Sequence, residues 1–277
     1  MKFETIAREA VLLDPSNNMA RKHIPNEIRR DPLTGKTSRI CHFRELTWKK
    51  PDLDKLVAGT ESWCPFCPDK VLKVTPCFPE EIIPDGRMTL DDKVLFPNIA
   101  PYDMLSAVAT LGDRHYIPMT DIEPRRIADG FRLAIQYFRH LKDIEHPESV
   151  YHLISWNYMP ASGSSIIHPH LQVFASSFAP NFLREKLAAA RDYMEKHGSN
   201  YWDDLVAAEK SNAKRYLGEI GRTQWLTVFA PLGAVGDVTA VVPGIHSTLE
   251  LTEQDLDLSL IHISEPTRPI LVSRMPS

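Results

Sequence analysis

Between residues 166 and 175 the chain reads Ile-Ile-His-Pro-His-Leu-Gln-Val-Phe-Ala, an apolar run with His168, His170 and Gln172 at every second position. Successive side chains of a strand point to opposite faces, so this alternation predicts a strand over 166–175 that presents all three polar groups on one face. Residues 150–157 predict a second strand, and 158–165, rich in small and hydroxyl-bearing residues, the loop that joins the two into a hairpin. Between the strand predicted at 103–111 and this hairpin, Ile127, Phe131, Ala134, Ile135, Phe138 and Leu141 recur at helical spacing. They predict a helix running to about Lys142, with Thr120 or Asp121 as its cap. Residues 180–217 read as two amphipathic helices broken at Gly198-Ser199-Asn200, residues 223–230 and 238–243 as two strands, and Thr252 as the start of another helix. Two stretches are less patterned: 1–27 is polar with helical spacing around Ile6, Val11 and Leu12, and 79–100 is Pro-rich and acidic, which predicts an ordered loop. The whole predicts an α+β protein, an antiparallel sheet with helices packed on it.

Bulk properties narrow the function classes. With 277 residues the chain is long enough for one large or two moderate domains. A net charge of -4 argues against nucleic acid as a partner, which favours a basic surface. No run has the length of a membrane span, and Met1 to Glu9 lacks the apolar core of a secretion signal, so a cytoplasmic protein is the expectation.

In that reducing setting, the four cysteines change the picture. Cys64-Pro65-Phe66-Cys67 places two sulfurs on one turn, the spacing that grips a tetrahedral metal, most often zinc. A redox pair would prefer its first Cys at a helix start, whereas here Pro68 and Asp69 follow the second Cys and residues 71–84 read as extended, which favours the metal. Two ligands are then lacking, and His115 and the pair His168/His170 are the candidates. Two imidazoles and an amide on one strand face suit a site that handles phosphate or metal. Gly163, Ser164 and Ser165, just before that strand, let backbone N–H groups and hydroxyls approach an anion closely, although Ser and Gly are also ordinary hairpin-loop residues. Arg29 and Arg30 precede the turn Asp31-Pro32-Leu33-Thr34-Gly35 and have the planar forks that bind phosphate oxygens; by themselves they read equally as a solvated basic pair.

Taken in order, Arg29 to Gly35, Cys64 to Cys67, Phe96-Pro97-Asn98, His115, Asn157, Gly163 to Ser165 and His168-Pro169-His170-Leu171-Gln172 resemble the galactose-1-phosphate uridylyltransferase family of the histidine-triad superfamily, over roughly residues 28–245. The resemblance implies a zinc site on Cys64, Cys67, His115 and His168, structural because four protein ligands close it. It implies that His170 is the nucleophile, becoming a nucleotidyl-histidine, and that Gln172 hydrogen-bonds the phosphoryl oxygens. Asn157, Gly163, Ser164 and Ser165 match positions that hold phosphates, Asn98 a position near the nucleoside, and Arg29 or Arg30 a phosphate contact. The implied partners are a nucleotide sugar and a sugar 1-phosphate, and the family is often dimeric. Gln172 stands where hydrolase relatives carry a third histidine; an amide neither protonates a leaving group nor activates water, which favours transfer over hydrolysis. A nucleotide-sugar or dinucleotide phosphorylase uses the same intermediate and is an alternative; a histidine-triad hydrolase comes after it, and a non-catalytic zinc-binding module last.

Two features depart from the family's pattern. Leu171 stands where glycine is usual, and the later motifs that recognise the sugar phosphate are not found. The expected organisation is a histidine-triad-like domain over 1–178, an incomplete second one over 179–258, and a non-native tail over 259–277. That tail, from Ser259 onward, breaks the helical pattern and resembles a translated sequencing adaptor.

Overall fold

The structure is a computed structural model and describes residues 1–41, 52–233 and 236–261. In chain order its elements are β1 (Glu4–Asp14), β2 (Ala20–Arg30), β3 (Thr37–Cys41), α1 (Leu53–Val57), α2 (Val71–Val74), β4 (Met88–Leu90), β5 (Lys93–Pro97), β6 (Leu105–Thr110), α3 (Pro124–Asp143), β7 (Tyr151–Ser155), β8 (His170–Ser176), α4 (Asn181–His197), α5 (Tyr201–Asn212), β9 (Tyr216–Ile220), β10 (Thr223–Thr227), β11 (Val238–Val241) and α6 (Glu253–Ile261). Among the described residues the strands form three sheets, ordered β1-β2-β3, β11-β10-β9 and β4-β5-β6-β8-β7. The class is α+β, as expected. Among the described residues no helix is long and apolar enough to cross a membrane.

Internal contacts divide the chain into two compact units, one of Met1–Lys50, Pro180–Glu219 and Gln224–Pro243, the other of Pro51–Ala179, Ile220–Thr223 and Gly244–Ser277. These boundaries differ from a sequential cut at 178. The reason lies in the first unit's core, where Phe3 and Leu33 pack with Tyr201, Leu205, Val206, Leu226 and Val241. Most of the tail expected from 259 lies outside the described residues.

In the first unit, residues 4–30 form a long antiparallel hairpin rather than the helical spacing read around Ile6. Cross-strand partners decide this: Ile6 lies opposite Ile28, and Arg30 Nε donates to Glu4 at 2.9 Å. Asp31 then caps the predicted turn, its Oδ1 accepting from Thr34 N at 2.7 Å, with Gly35 at φ +72°.

The second unit holds the five-stranded sheet. Part of the Pro-rich stretch expected to be a loop is the hairpin β4–β5, turned at Asp91, because four consecutive residues from Lys93 to Phe96 are buried and the sheet claims them. The predicted helix is α3, but its cap is Glu123, with Pro124 at the first helical position where its missing N–H is harmless. One sheet face, with Leu95, Ala107, Ala109, Leu171, Val173 and Ala175, packs under Leu133, Ala134, Tyr137, Phe138 and Leu141 of α3. The opposite face carries Val94, Phe96 and Val108, covered by Val71 and Phe66.

Gly130 sets how closely α3 approaches that sheet. A Cβ there would run into Leu111 and lie 3.1 Å from Leu171 Cδ1. Gly130→Ala should therefore lower the urea midpoint, since overpacking of about 1–3 kcal/mol outweighs a helix-propensity gain of about 1 kcal/mol; an unchanged or raised midpoint would contradict the close approach.

His152 on β7 stacks on Phe138 at 4.4 Å, and burial lowers its pKa below 6.5. As pH falls below 6.5, the unfolded chain therefore takes up this proton before the folded one does, so stability is present above that value and is lost as pH falls toward the folded pKa. Comparing urea midpoints at pH 7.5 and pH 5, His152→Gln should lose less on acidification than the parent protein.

Candidate active site

β8 opens at His170, not at residue 166 as alternation predicted, because Pro169 has no N–H for the ladder; its carbonyl still accepts from Leu111 N at 2.8 Å. His168 consequently lies in the bend before the strand, while His170 and Gln172 share the sheet face that carries Val108 and Thr110, their partners across the β6–β8 ladder.

The four sequence-predicted metal ligands converge. Cys64 and Cys67 come from the turn after a single 3-10 turn at Thr60–Trp63, His115 from the loop after β6, and His168 from the bend before β8. One donor atom of each lies within 4.8 Å of all the others. Cys67 Sγ is 3.5 Å from His115 Nδ1 and 3.9 Å from His168 Nδ1. His168 Nε2 lies 2.8 Å from the carbonyl of Gly112, an acceptor only, so the ring proton sits on Nε2 and Nδ1 presents its lone pair to the sulfurs. Gly112 has φ +126°, and a Cβ there would collide with Arg126 and lie 2.7 Å from Asp92 Oδ2, so glycine is needed to aim that carbonyl.

Charge makes the same point. Burial, followed by the neighbouring Cys64, pushes the Cys67 thiol up to about 12, and burial lowers His168 to about 4. Two sheltered sulfurs and two neutral imidazoles are a donor set that a zinc ion fits, and the ion's charge would bring the thiols to thiolate. Such a centre would tie the Cys64–Cys67 turn to the start of β8.

His170 is oriented from the same bend. Its Nδ1 lies 2.7 Å from the His168 carbonyl, so Nδ1 carries the proton and Nε2 the lone pair. Nε2 has no hydrogen-bond partner among the described residues, yet it is not among their buried side-chain atoms left without a partner, which are Tyr137 Oη, Glu209 Oε2 and Trp225 Nε1, so it keeps access to solvent. Phe66 stands edge-on to the ring at 5.2 Å, and burial lowers the His170 pKa, keeping the ring neutral. Two residues along, Gln172 Oε1 accepts from Asn98 Nδ2 at 3.1 Å, which leaves the Gln172 amide hydrogens to donate elsewhere.

The loop between β7 and β8 is wound tightly. Met159, buried at φ 67° and ψ 162°, occupies backbone space that normally belongs to glycine, and its carbonyl accepts from Ser162 N and Ser164 N at 3.1 and 3.3 Å. Gly163 follows at φ +99°, where a Cβ would be 3.8 Å from Asn157 Nδ2. Ser164 Oγ is spent on the Ile166 carbonyl at 2.6 Å, whereas Ser165 is exposed. Arg29 and Arg30 belong to the first unit: Arg29 binds Glu27 (2.9 Å) and the Phe229 carbonyl (3.3 Å), and Arg30 binds Glu4 and the Gly35 carbonyl (3.2 Å). Phe66, Gly112, Met159 and Thr60 were not singled out by sequence reasoning; of these, only Gly112, in a turn three residues before His115, had a signal that pointed to it.

No family model matches the chain. It is 35% identical over 209 residues to an uncharacterized protein of Archaeoglobus fulgidus, covering 75% of this chain and 61% of that protein. It is also 35% identical over 105 residues to galactose-1-phosphate uridylyltransferase of Haemophilus influenzae, covering 36% of this chain and 29% of that enzyme. The chain thus spans less than two thirds of either relative. Among solved structures, an ADP-glucose phosphorylase from Arabidopsis thaliana with bound ADP-glucose has TM-score 0.60 at 19% identity, covering 85% of this chain and 74% of that one. A GalT-like protein from the same plant has TM-score 0.58 at 20% identity, covering 83% and 71%. The solved structures show a shared fold, and over the 105 matched residues the chain is similar in sequence to the Haemophilus galactose-1-phosphate uridylyltransferase.

Proposed function

We propose that the chain carries a nucleotidyltransferase centre that moves a nucleoside monophosphate from a nucleotide sugar, UDP-glucose-like, to a sugar 1-phosphate, galactose 1-phosphate-like, as a step in carbohydrate metabolism. The observation that carries this reading is the hydrogen bond from His170 Nδ1 to the His168 carbonyl, which leaves Nε2 as a neutral, oriented nucleophile. Nε2 forms a bond to the α-phosphorus, the bond from that phosphorus to its bridging oxygen breaks, and the sugar 1-phosphate leaves with the electron pair. As Nε2 becomes bonded, positive charge develops on the ring, and the His168 carbonyl stabilises it through Nδ1–H. A phosphate oxygen of the acceptor then displaces Nε2 and regenerates the free ring.

Transfer of this kind rests on positioning and charge neutralisation more than on proton transfer. Gln172, anchored through Oε1 by Asn98, supplies amide donors to the phosphoryl oxygens. Asn157, Gly163 and Ser165 are the further phosphate contacts in this reading, and Asn98 lies toward the nucleoside. Zinc on Cys64, Cys67, His115 and His168 would supply structural cross-linking only, since four protein ligands leave no open position.

Incubation with UDP-glucose labelled at the α-phosphate should leave acid-labile label on the protein, and His170→Ala should abolish it. Label retained in that variant overturns the mechanism. Release of the label by galactose 1-phosphate supports the transferase, release by inorganic phosphate would assign a phosphorylase, and loss to water alone a hydrolase. Gln172→Ala should slow labelling by about 10²-fold, as loss of one oxyanion donor does. Separately, the purified protein should carry stoichiometric zinc by elemental analysis and Cys64→Ser should not; a parent protein free of zinc contradicts the metal reading.

A further inference from the structure

We infer that Thr60 is a positioning residue of the metal centre, fixing the tautomer and orientation of His115. The inference rests on the zinc reading above and adds to it a residue outside the four ligands. Thr60 opens the 3-10 turn Thr60–Trp63 that leads directly into Cys64. Its Oγ1 lies 2.7 Å from the Val57 carbonyl and 2.7 Å from His115 Nε2.

A threonine hydroxyl has one hydrogen, and a carbonyl can only accept. The Thr60 proton is therefore committed to the Val57 carbonyl, and toward His115 the hydroxyl oxygen can act only as acceptor. His115 Nε2 must then be the protonated nitrogen, and Nδ1, 3.5 Å from Cys67 Sγ, the one with the lone pair. The other histidine ligand reaches the same state by a different route, through the Gly112 carbonyl. Both imidazoles thus turn a bare Nδ1 toward the sulfurs, one by a backbone acceptor and one by a side chain that substitution can remove.

Val57 is the last residue of α1, where helix carbonyls lack intrahelical donors, so the same hydroxyl also ties the end of that helix to the metal ligand. Position 60 matters by this account because it lies one turn before Cys64: whatever orients His115 is on the same short segment as the first sulfur ligand.

The test uses the full chain loaded with zinc and a chromophoric chelator to follow metal release. Thr60→Val keeps the shape and removes the hydroxyl; it should release zinc roughly 10- to 100-fold faster, the usual range for loss of a group that orients a ligand. Thr60→Ser, which keeps the hydroxyl, should restore retention close to the parent. Ser62→Ala removes a neighbouring hydroxyl that donates to the Gly59 carbonyl at 2.8 Å and does not touch His115, so it should leave release unchanged. Parent-like retention by Thr60→Val, failure of Thr60→Ser to rescue, or equal loss in Ser62→Ala would each overturn the role of Thr60. A parent protein that binds no zinc would overturn the metal reading and Thr60 with it, so the two failures are told apart.

Discussion

The peptide carbonyl of His168 is the point on which the site depends. Through its side chain, His168 belongs to the cluster with Cys64, Cys67 and His115; through its backbone oxygen, it accepts the Nδ1 proton of His170. One residue therefore joins the Cys/His cluster to the His170 ring. Pro169 between them has no N–H and a restricted φ, which stiffens the link, and β8 begins at His170 directly after it. A cluster that holds His168 still also holds still the carbonyl that selects the tautomer of His170.

That arrangement requires a strand with two different faces. Leu171, Val173 and Ala175 are fully buried beneath α3, which anchors β8 from behind. His170 and Gln172 alternate with them and occupy the other face, where Phe66 covers the imidazole and Asn98 holds the amide. Leu171 points into the core rather than toward the site. A Cβ on Gly130 would lie 3.1 Å from its Cδ1, so the glycine of α3 leaves room for it.

The buried charge of Lys93 behind the site is paired. Lys93, 4% exposed, lies 2.6 Å from Asp92 and 3.5 Å from Asp129. Asp92 also meets Arg126 at 3.2 Å, and both press against Gly112, whose carbonyl holds His168. An ionic cluster at the N-terminal end of α3 is thereby in contact with the turn that orients His168. Burial of such a group without its partners would be costly, so the turn has little freedom to move.

Local chemistry was legible wherever it depended on short-range order. The period-2 placement of His170 and Gln172, the Cys-x-x-Cys turn, the Asp31–Gly35 turn and the stripe of α3 each follow from spacing within one segment, and the structure has them. What sequence spacing misread was decided by partners distant in the chain. Residues 4–14 became a strand because residues 20–30 lie opposite, and Lys93 to Phe96 because a sheet buries both their faces. The N-terminal strands share a core with residues beyond 200, which no local pattern could reveal. Likewise, the residue types of the site were readable, but the protonated nitrogen of each histidine was not: hydrogen bonds to Gly112, His168 and Thr60 select it, and those acceptors meet the rings only when the chain is folded.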